Sequence, residues 1–250
     1  MAALIKRRQV IIMVFALIFA DGTGYGFGAG LKPKQFLELY GKPIIIYTLE
    51  HFENHKNVDE IVVVCLESHI NELKRLIERH GITKVSMIVP GGKTGHDSIF
   101  NGLIAMKDKA QDNDIVLIHD GVRPLITEKL ITDNIEAVKQ HGAAITVEPA
   151  RESVVQSYDQ VKINDVPIRS QMYIAKAPQS FYFKLIYEAY KRANKDHRKT
   201  IDPAHLCSLF DIPMFMVTSS KNNIKISVPE DYYMFRALYE AIENQQIFGI

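Results

Sequence analysis

Asp21-Gly22-Thr23-Gly24-Tyr25-Gly26-Phe27-Gly28-Ala29-Gly30 follows directly on an apolar run ending at Phe19-Ala20, and Lys32 and Lys34 come next. Glycines let backbone N–H groups approach an anion closely, and lysines add positive charge, so the stretch is suited to binding phosphate. A second glycine-rich segment, Pro90-Gly91-Gly92-Lys93-Thr94-Gly95-His96-Asp97-Ser98, follows another apolar run. Asp120 closes a third such run and is followed by Arg123-Pro124. A carboxylate at the end of a buried strand could bind Mg²⁺ or a ligand hydroxyl, or simply cap nearby N–H groups. Arg169, Lys176, Lys221 and Lys225 are scattered, and cations on surface strands are ordinarily just solvated.

Other chemistries fit less well. Gly24, Gly26 and Ala29 satisfy the spacing of a dinucleotide-binding turn, but Pro33 interrupts the helix that a pyrophosphate site requires. Gly92-Lys93-Thr94 resembles the end of a Walker A loop, yet Met87 stands where its first glycine belongs. The nine histidines show no paired metal spacing, so His96, His119 and His205 read as structural or solvent-facing. Cys65 and Cys207 have neither metal spacing nor an argument for pairing, and a reduced, cytoplasmic protein is expected.

The elements that must position these residues follow from periodicity. With 47% apolar and 24% charged residues among 250, a sizeable core is available. A formal charge of +1 provides no broad field for nucleic acid or an anionic membrane, so neither is expected as a partner. Lys6-Arg7-Arg8 and the apolar run Val10 to Ala20 imitate a secretory signal, but the run is too short to span a bilayer and Ile18-Phe19-Ala20 is a poor cleavage site. Met13 can serve as a start, which makes residues 1–12 an extension and 13–250 a single domain.

The wholly apolar run ending at Ala20 predicts a strand buried on both faces, Glu60–Leu66 reads as a second buried strand, and further strands are expected over Lys84–Val89 and Asp114–Asp120. Helical spacing predicts helices over 44–52, 70–80, from Ile99 through Met106, and from a Thr127 cap to Gly142. This alternation predicts an α/β fold, a doubly wound, mostly parallel sheet with ligands at the carboxyl ends of its strands. Residues 150–178 lack helical period and predict a two-stranded excursion, marginal alone and packed on a second subunit. Beyond it, a helix over 183–193, strands over 212–217 and 223–227, and a helix opening at Pro229 are expected.

Together the motifs resemble the cytidylyltransferases that make CDP-methylerythritol and CDP-ribitol. The family loop Leu-Ala-Gly-Gly-x-Gly-x-Arg-Met-Gly stands here as Phe19-Ala20-Asp21-Gly22-Thr23-Gly24-Tyr25-Gly26-Phe27-Gly28. Pro33-Lys34-Gln35-Phe36, Gly91-Gly92 with Ser98-Ile99, His119-Asp120 with Arg123-Pro124, Ala177-Pro178-Gln179-Ser180-Phe181 and Asn223-Ile224-Lys225-Ile226 follow in the family's order. The resemblance implies a Rossmann-like nucleotidyltransferase fold, a homodimer joined through an arm at about 150–175, and a Mg²⁺-dependent transfer of CMP from CTP to a polyol phosphate.

By the same resemblance Phe19, Ala20, Asp21, Gly22, Thr23 and Gly24 would hold the triphosphate and Gly91, Gly92 and Ser98 the cytidine. Lys34, Lys225 and Arg169, the last from a neighbouring arm, would be catalytic. Asp120 would face the metal and the substrate hydroxyls, supported by Arg123, with Arg151 and Ser153 reaching the polyol. Three positions depart from the family: Asp21 replaces a glycine, Gly26 the loop arginine and Gly95 an arginine of the second loop. The expected substrate is D-ribitol 5-phosphate, for capsule or teichoic-type polymers. Methylerythritol phosphate, for isoprenoids, is the alternative, and a catalytically weakened nucleotide-binding dimer is the alternative of another class.

Overall fold

A computed structural model describes residues 12–22 and 32–249. In chain order the elements are β1 (Val14–Ala20), β2 (Glu38–Leu39), β3 (Lys42–Pro43), α1 (Ile44–Glu53), β4 (Glu60–Cys65), α2 (Ile70–Arg79), β5 (Val85–Pro90), α3 (Gly95–Met106) and β6 (Ile115–Asp120). There follow α4 (Glu128–His141), β7 (Ala143–Pro149), β8 (Tyr173–Tyr182), α5 (Phe183–Lys195), α6 (Pro203–Leu209), β9 (Phe215–Thr218) and α7 (Pro229–Phe248). The main sheet has seven strands in the order β5-β4-β1-β6-β8-β7-β9. Its pairings are parallel except those of β8, which runs opposite to both neighbours.

Period-two alternation sends successive side chains to opposite faces. Ala16 and Ile18 of β1, Ile61 and Val63 of β4, and Leu117 of β6 pack with Leu49 of α1, Leu73 of α2 and Ile135 of α4. The intervening Phe15 and Leu17, Val62 and Val64, and Val116 and Ile118 pack with Leu103 of α3 and Tyr190 of α5. Helices thus cover both faces, and every one of these strand residues is buried, as continuous apolar runs require. A third cluster joins α7, through Phe235, to Leu39, Tyr47, Val122 and Ile226.

Local chemistry sets the helix ends that matter for the site. Thr127 Oγ1 accepts from Leu130 N at 3.1 Å, and α4 stops at Gly142 with φ 86°, a left-handed turn that glycine adopts without cost. Gly102 lets α3 lie against the sheet: a Cβ there would stand 2.4 Å from Leu17 Cδ1 and 3.0 Å from Val64 Cγ2.

Three expectations are corrected. Tyr173–Tyr182 is a full strand of the main sheet, not part of the excursion, which is confined to 150–172. Its exposed first residues and Pro178, unusual in a central strand, hid it; the proline sits where the β7–β8 register shifts, which is where strands tolerate it. Residues 223–227 are not a strand but a loop, with Ile226 N bonded to Val122 O at 2.9 Å and the Ile226 side chain buried. The strand expected at 212–217 is the shorter β9, and α6 was not foreseen because its few turns leave little period to read. Within the excursion Gln156 and Asp165 form an isolated bridge, and residues 151–165 are exposed throughout.

Candidate active site

Register brings the site together. Phe19 of β1 lies beside Asp120 of β6, and Ala20 beside Cys65 of β4, so the strands end at one edge of the sheet. Gln35, fully buried in a single 3₁₀ turn, donates to Ala20 O at 2.8 Å and Gly22 O at 3.1 Å. That side chain ties the lysine-bearing turn to the end of β1, and Lys34 Cε lies 3.3 Å from where a Gly22 Cβ would be. Thr23, Gly24 and Gly26 lie outside the described residues.

Asp120 is the electrostatic centre. Its Oδ2 accepts from Arg123 Nε at 2.7 Å, and its Oδ1 pairs with Lys225 Nζ at 2.6 Å. Burial opposes ionisation of this carboxyl, but Lys225 and Arg123 overcome it and hold the group well below the usual carboxylate range. Arg123 Nη1 also donates to Asn223 O at 3.1 Å, which fixes the loop carrying Lys225. Lys34 is held below the ordinary lysine range, first by burial and then by repulsion from Lys225, while Asp120, Asp231 and Asp21 oppose the shift. An anion arriving between Lys34 and Lys225 would relieve that repulsion.

The second loop meets the first through Asp21. Ser98 Oγ donates to the Asp21 carboxylate and accepts from Gly92 N at 2.8 Å. Both glycines are needed for space: a Cβ on Gly91 would stand 2.8 Å from Asp21 Cβ, and one on Gly92 2.3 Å from Asp97 Cβ. Asp21 therefore points across the cleft at Ser98. At Gly95 the corresponding space is open.

The described geometry thus joins Phe19, Ala20, Asp21, Gly22, Lys34, Asp120, Arg123 and Lys225 with Gly91, Gly92 and Ser98. Arg151, Ser153 and Arg169 instead lie on the exposed excursion. There Arg169 Nη1 donates to Arg151 O at 3.4 Å, and Arg151 Nε stands 3.5 Å from Glu148 Oε1. Lys225, given a catalytic role by the resemblance, is engaged by Asp120, and Lys176, read as merely solvated, by Glu148 Oε2 at 2.5 Å. The structural role of Gln35 and Asn223 was missed, because an amide in a motif carries no sign of which carbonyls it will meet. His119 is buried, with Nε2 3.2 Å from Arg123 O, and burial lowers its pKa to about 3. It supports the loop as a neutral ring. No group of three His, Cys, Asp or Glu able to hold a metal occurs among the described residues, and none of their helices is long and apolar enough to cross a membrane.

Residues 14–241 match the family model described as IspD, 2-C-methyl-D-erythritol 4-phosphate cytidylyltransferase. The chain belongs to this family. The cytidylyltransferase relatives include a ribitol-5-phosphate cytidylyltransferase of Vibrio parahaemolyticus, 47% identical over 95% of this chain and 100% of its own length. A 2-C-methyl-D-erythritol 4-phosphate cytidylyltransferase of Clostridium botulinum is 34% identical over 90% of this chain and 97% of its own. Among solved structures, 4-diphosphocytidyl-2C-methyl-D-erythritol synthase from Anaerococcus prevotii superposes with TM-score 0.80 at 28% identity, covering 92% of this chain and 96% of that one. The mostly parallel, helix-covered sheet is therefore that of the cytidylyltransferases.

Proposed function

We propose that the protein transfers CMP from CTP to D-ribitol 5-phosphate, yielding CDP-ribitol and pyrophosphate for capsule or teichoic-type polymers. The observation that carries the choice of polyol is the 47% identity to a ribitol-5-phosphate cytidylyltransferase along its whole length, against 34% to the methylerythritol enzyme. A phosphate oxygen of the polyol phosphate attacks the α-phosphorus of CTP. The bond to the bridging oxygen breaks, and pyrophosphate leaves with the electron pair. Such chemistry rests on positioning and on neutralising spreading charge. Lys34 would bind the equatorial oxygens of the transferring group, and Lys225 the attacking phosphate. The segment Phe19 to Gly24 would offer backbone N–H groups to the triphosphate, while Gly91, Gly92 and Ser98 would face the base.

Both oxygens of Asp120 are engaged, Oδ2 by Arg123 and Oδ1 by Lys225, so an ion carried in on phosphate oxygens would reach this carboxylate only as Lys225 turns from it to the attacking phosphate. Mg²⁺ would be held between Asp120 and the triphosphate, where it would neutralise charge on the leaving group. We further propose a homodimer built on the excursion, supported by the exposure of Tyr158 (76%) and Val161 (90%) there. In it Arg169, with Arg151 and Ser153, would reach the polyol phosphate of the neighbouring site. A cytoplasmic location fits nucleotide-dependent chemistry.

Pyrophosphate release from CTP and Mg²⁺ with each polyol phosphate separately tests the reading. Turnover with ribitol 5-phosphate is expected, and turnover with methylerythritol phosphate alone would overturn the choice. Asp21, which places a carboxylate where the family has glycine, favours one second reading, a nucleotide binder with weakened catalysis. Tight CTP binding by calorimetry without pyrophosphate release from either phosphate would select it.

A further inference from the structure

Glu148 follows the buried part of β7 and Lys176 stands near the start of β8, at the root of the excursion. Both side chains are largely buried, 14% and 11% exposed, and they form an ion pair. Lys176 Nζ also donates to Asn223 O at 3.1 Å, the same carbonyl that accepts from Arg123 Nη1 at 3.1 Å. One carbonyl oxygen with two lone pairs thus takes two cationic donors, a saturated and charge-assisted arrangement. Asn223 Nδ2 donates back to Ala177 O at 2.7 Å, so the loop is held on both sides. Two residues further on, Lys225 reaches Asp120.

We infer that Lys176, clamped between Glu148 and the Asn223 carbonyl, is a positioning residue that sets the place of Lys225 and with it the phosphate of the acceptor substrate. The root of the excursion and the Asp120 centre are then parts of one hydrogen-bonded chain, Glu148 to Lys176 to Asn223 to Arg123 to Asp120. Without Lys176 the Asn223 carbonyl keeps one donor, and Glu148 keeps only Arg151, which is 63% exposed. The loop bearing Lys225 would then relax while the nucleotide side, built from β1 and the turn at Lys34, stays in place.

The inference rests on the proposed role of Lys225, and the test separates the two. Steady-state kinetics would compare wild type with Lys176→Met, Lys176→Arg and Glu148→Gln. Lys176→Met is expected to lower kcat/KM for ribitol 5-phosphate about tenfold or more, with KM for CTP within about twofold. Lys176→Arg should recover most of that loss, and Glu148→Gln should fall between. Unchanged constants for the acceptor, or equal losses toward both substrates, would overturn the inference. If Lys176→Met does not fold, Glu148→Gln, which frees the same lysine, carries the test. If the wild type turns over neither polyol phosphate, the function reading fails and amide hydrogen exchange decides instead. Lys176→Met should then speed exchange at Ile226 about tenfold relative to the β1 amides, and no change there would sink the idea.

Discussion

Replacing Asp120 by Asn leaves the buried Arg123 and the partly exposed Lys225 facing a neutral group, which should cost about 3 kcal/mol. Urea unfolding should show that loss, and pyrophosphate release should fall about a hundredfold or more. The place of Asp120 at the end of an apolar run could be read from the sequence, as could Arg123 three residues on. Its pairing with Lys225 could not, because a contact across a hundred residues leaves no local period. His119 offers a separate check. Its folded pKa of about 3 lies below an unfolded value of about 6.5, so its contribution is complete above pH 6.5 and is lost as pH falls toward 3. His119→Asn should therefore flatten the acid limb of stability, removing a slope of up to about 1.4 kcal/mol per pH unit. An unchanged slope between pH 6 and 4 would count against a buried neutral ring.

At the scale of elements, the buried parallel strands were readable because each is a continuous apolar run, whereas β8 and the 223–227 loop were misread for opposite reasons. β8 opens exposed and contains a proline; the loop alternates like a strand but has no ladder to join. Helix α3 is placed by Gly102, and Gly102→Ala should cost about 1–3 kcal/mol as the new methyl meets Leu17. The same change should weaken CTP binding, since α3 carries Ser98, and calorimetry would register it. For the excursion, Val161→Asp with Ile163→Asp should convert the proposed dimer to a monomer in light scattering while far-UV dichroism stays unchanged. A dimer that survives both charges would place the subunit contact elsewhere.

Across the whole molecule, the two cysteines lie in the buried layers on opposite faces of the sheet, and burial pushes both thiols up to about 12. Neither should react with a thiol reagent at neutral pH until the protein unfolds, and fast labelling of the native chain would contradict that packing. The strand order has a further consequence, for the time course of synthesis. β1 is made early but lies between β4 and β6, so it cannot be paired on both edges until residue 120 has emerged. Lys225 joins Asp120 later still, after the other described members of the site are in place. A nascent chain would therefore hold much of its sheet before its candidate site is complete, and a product cut short before Asn223 would lack the Lys225 partner of Asp120.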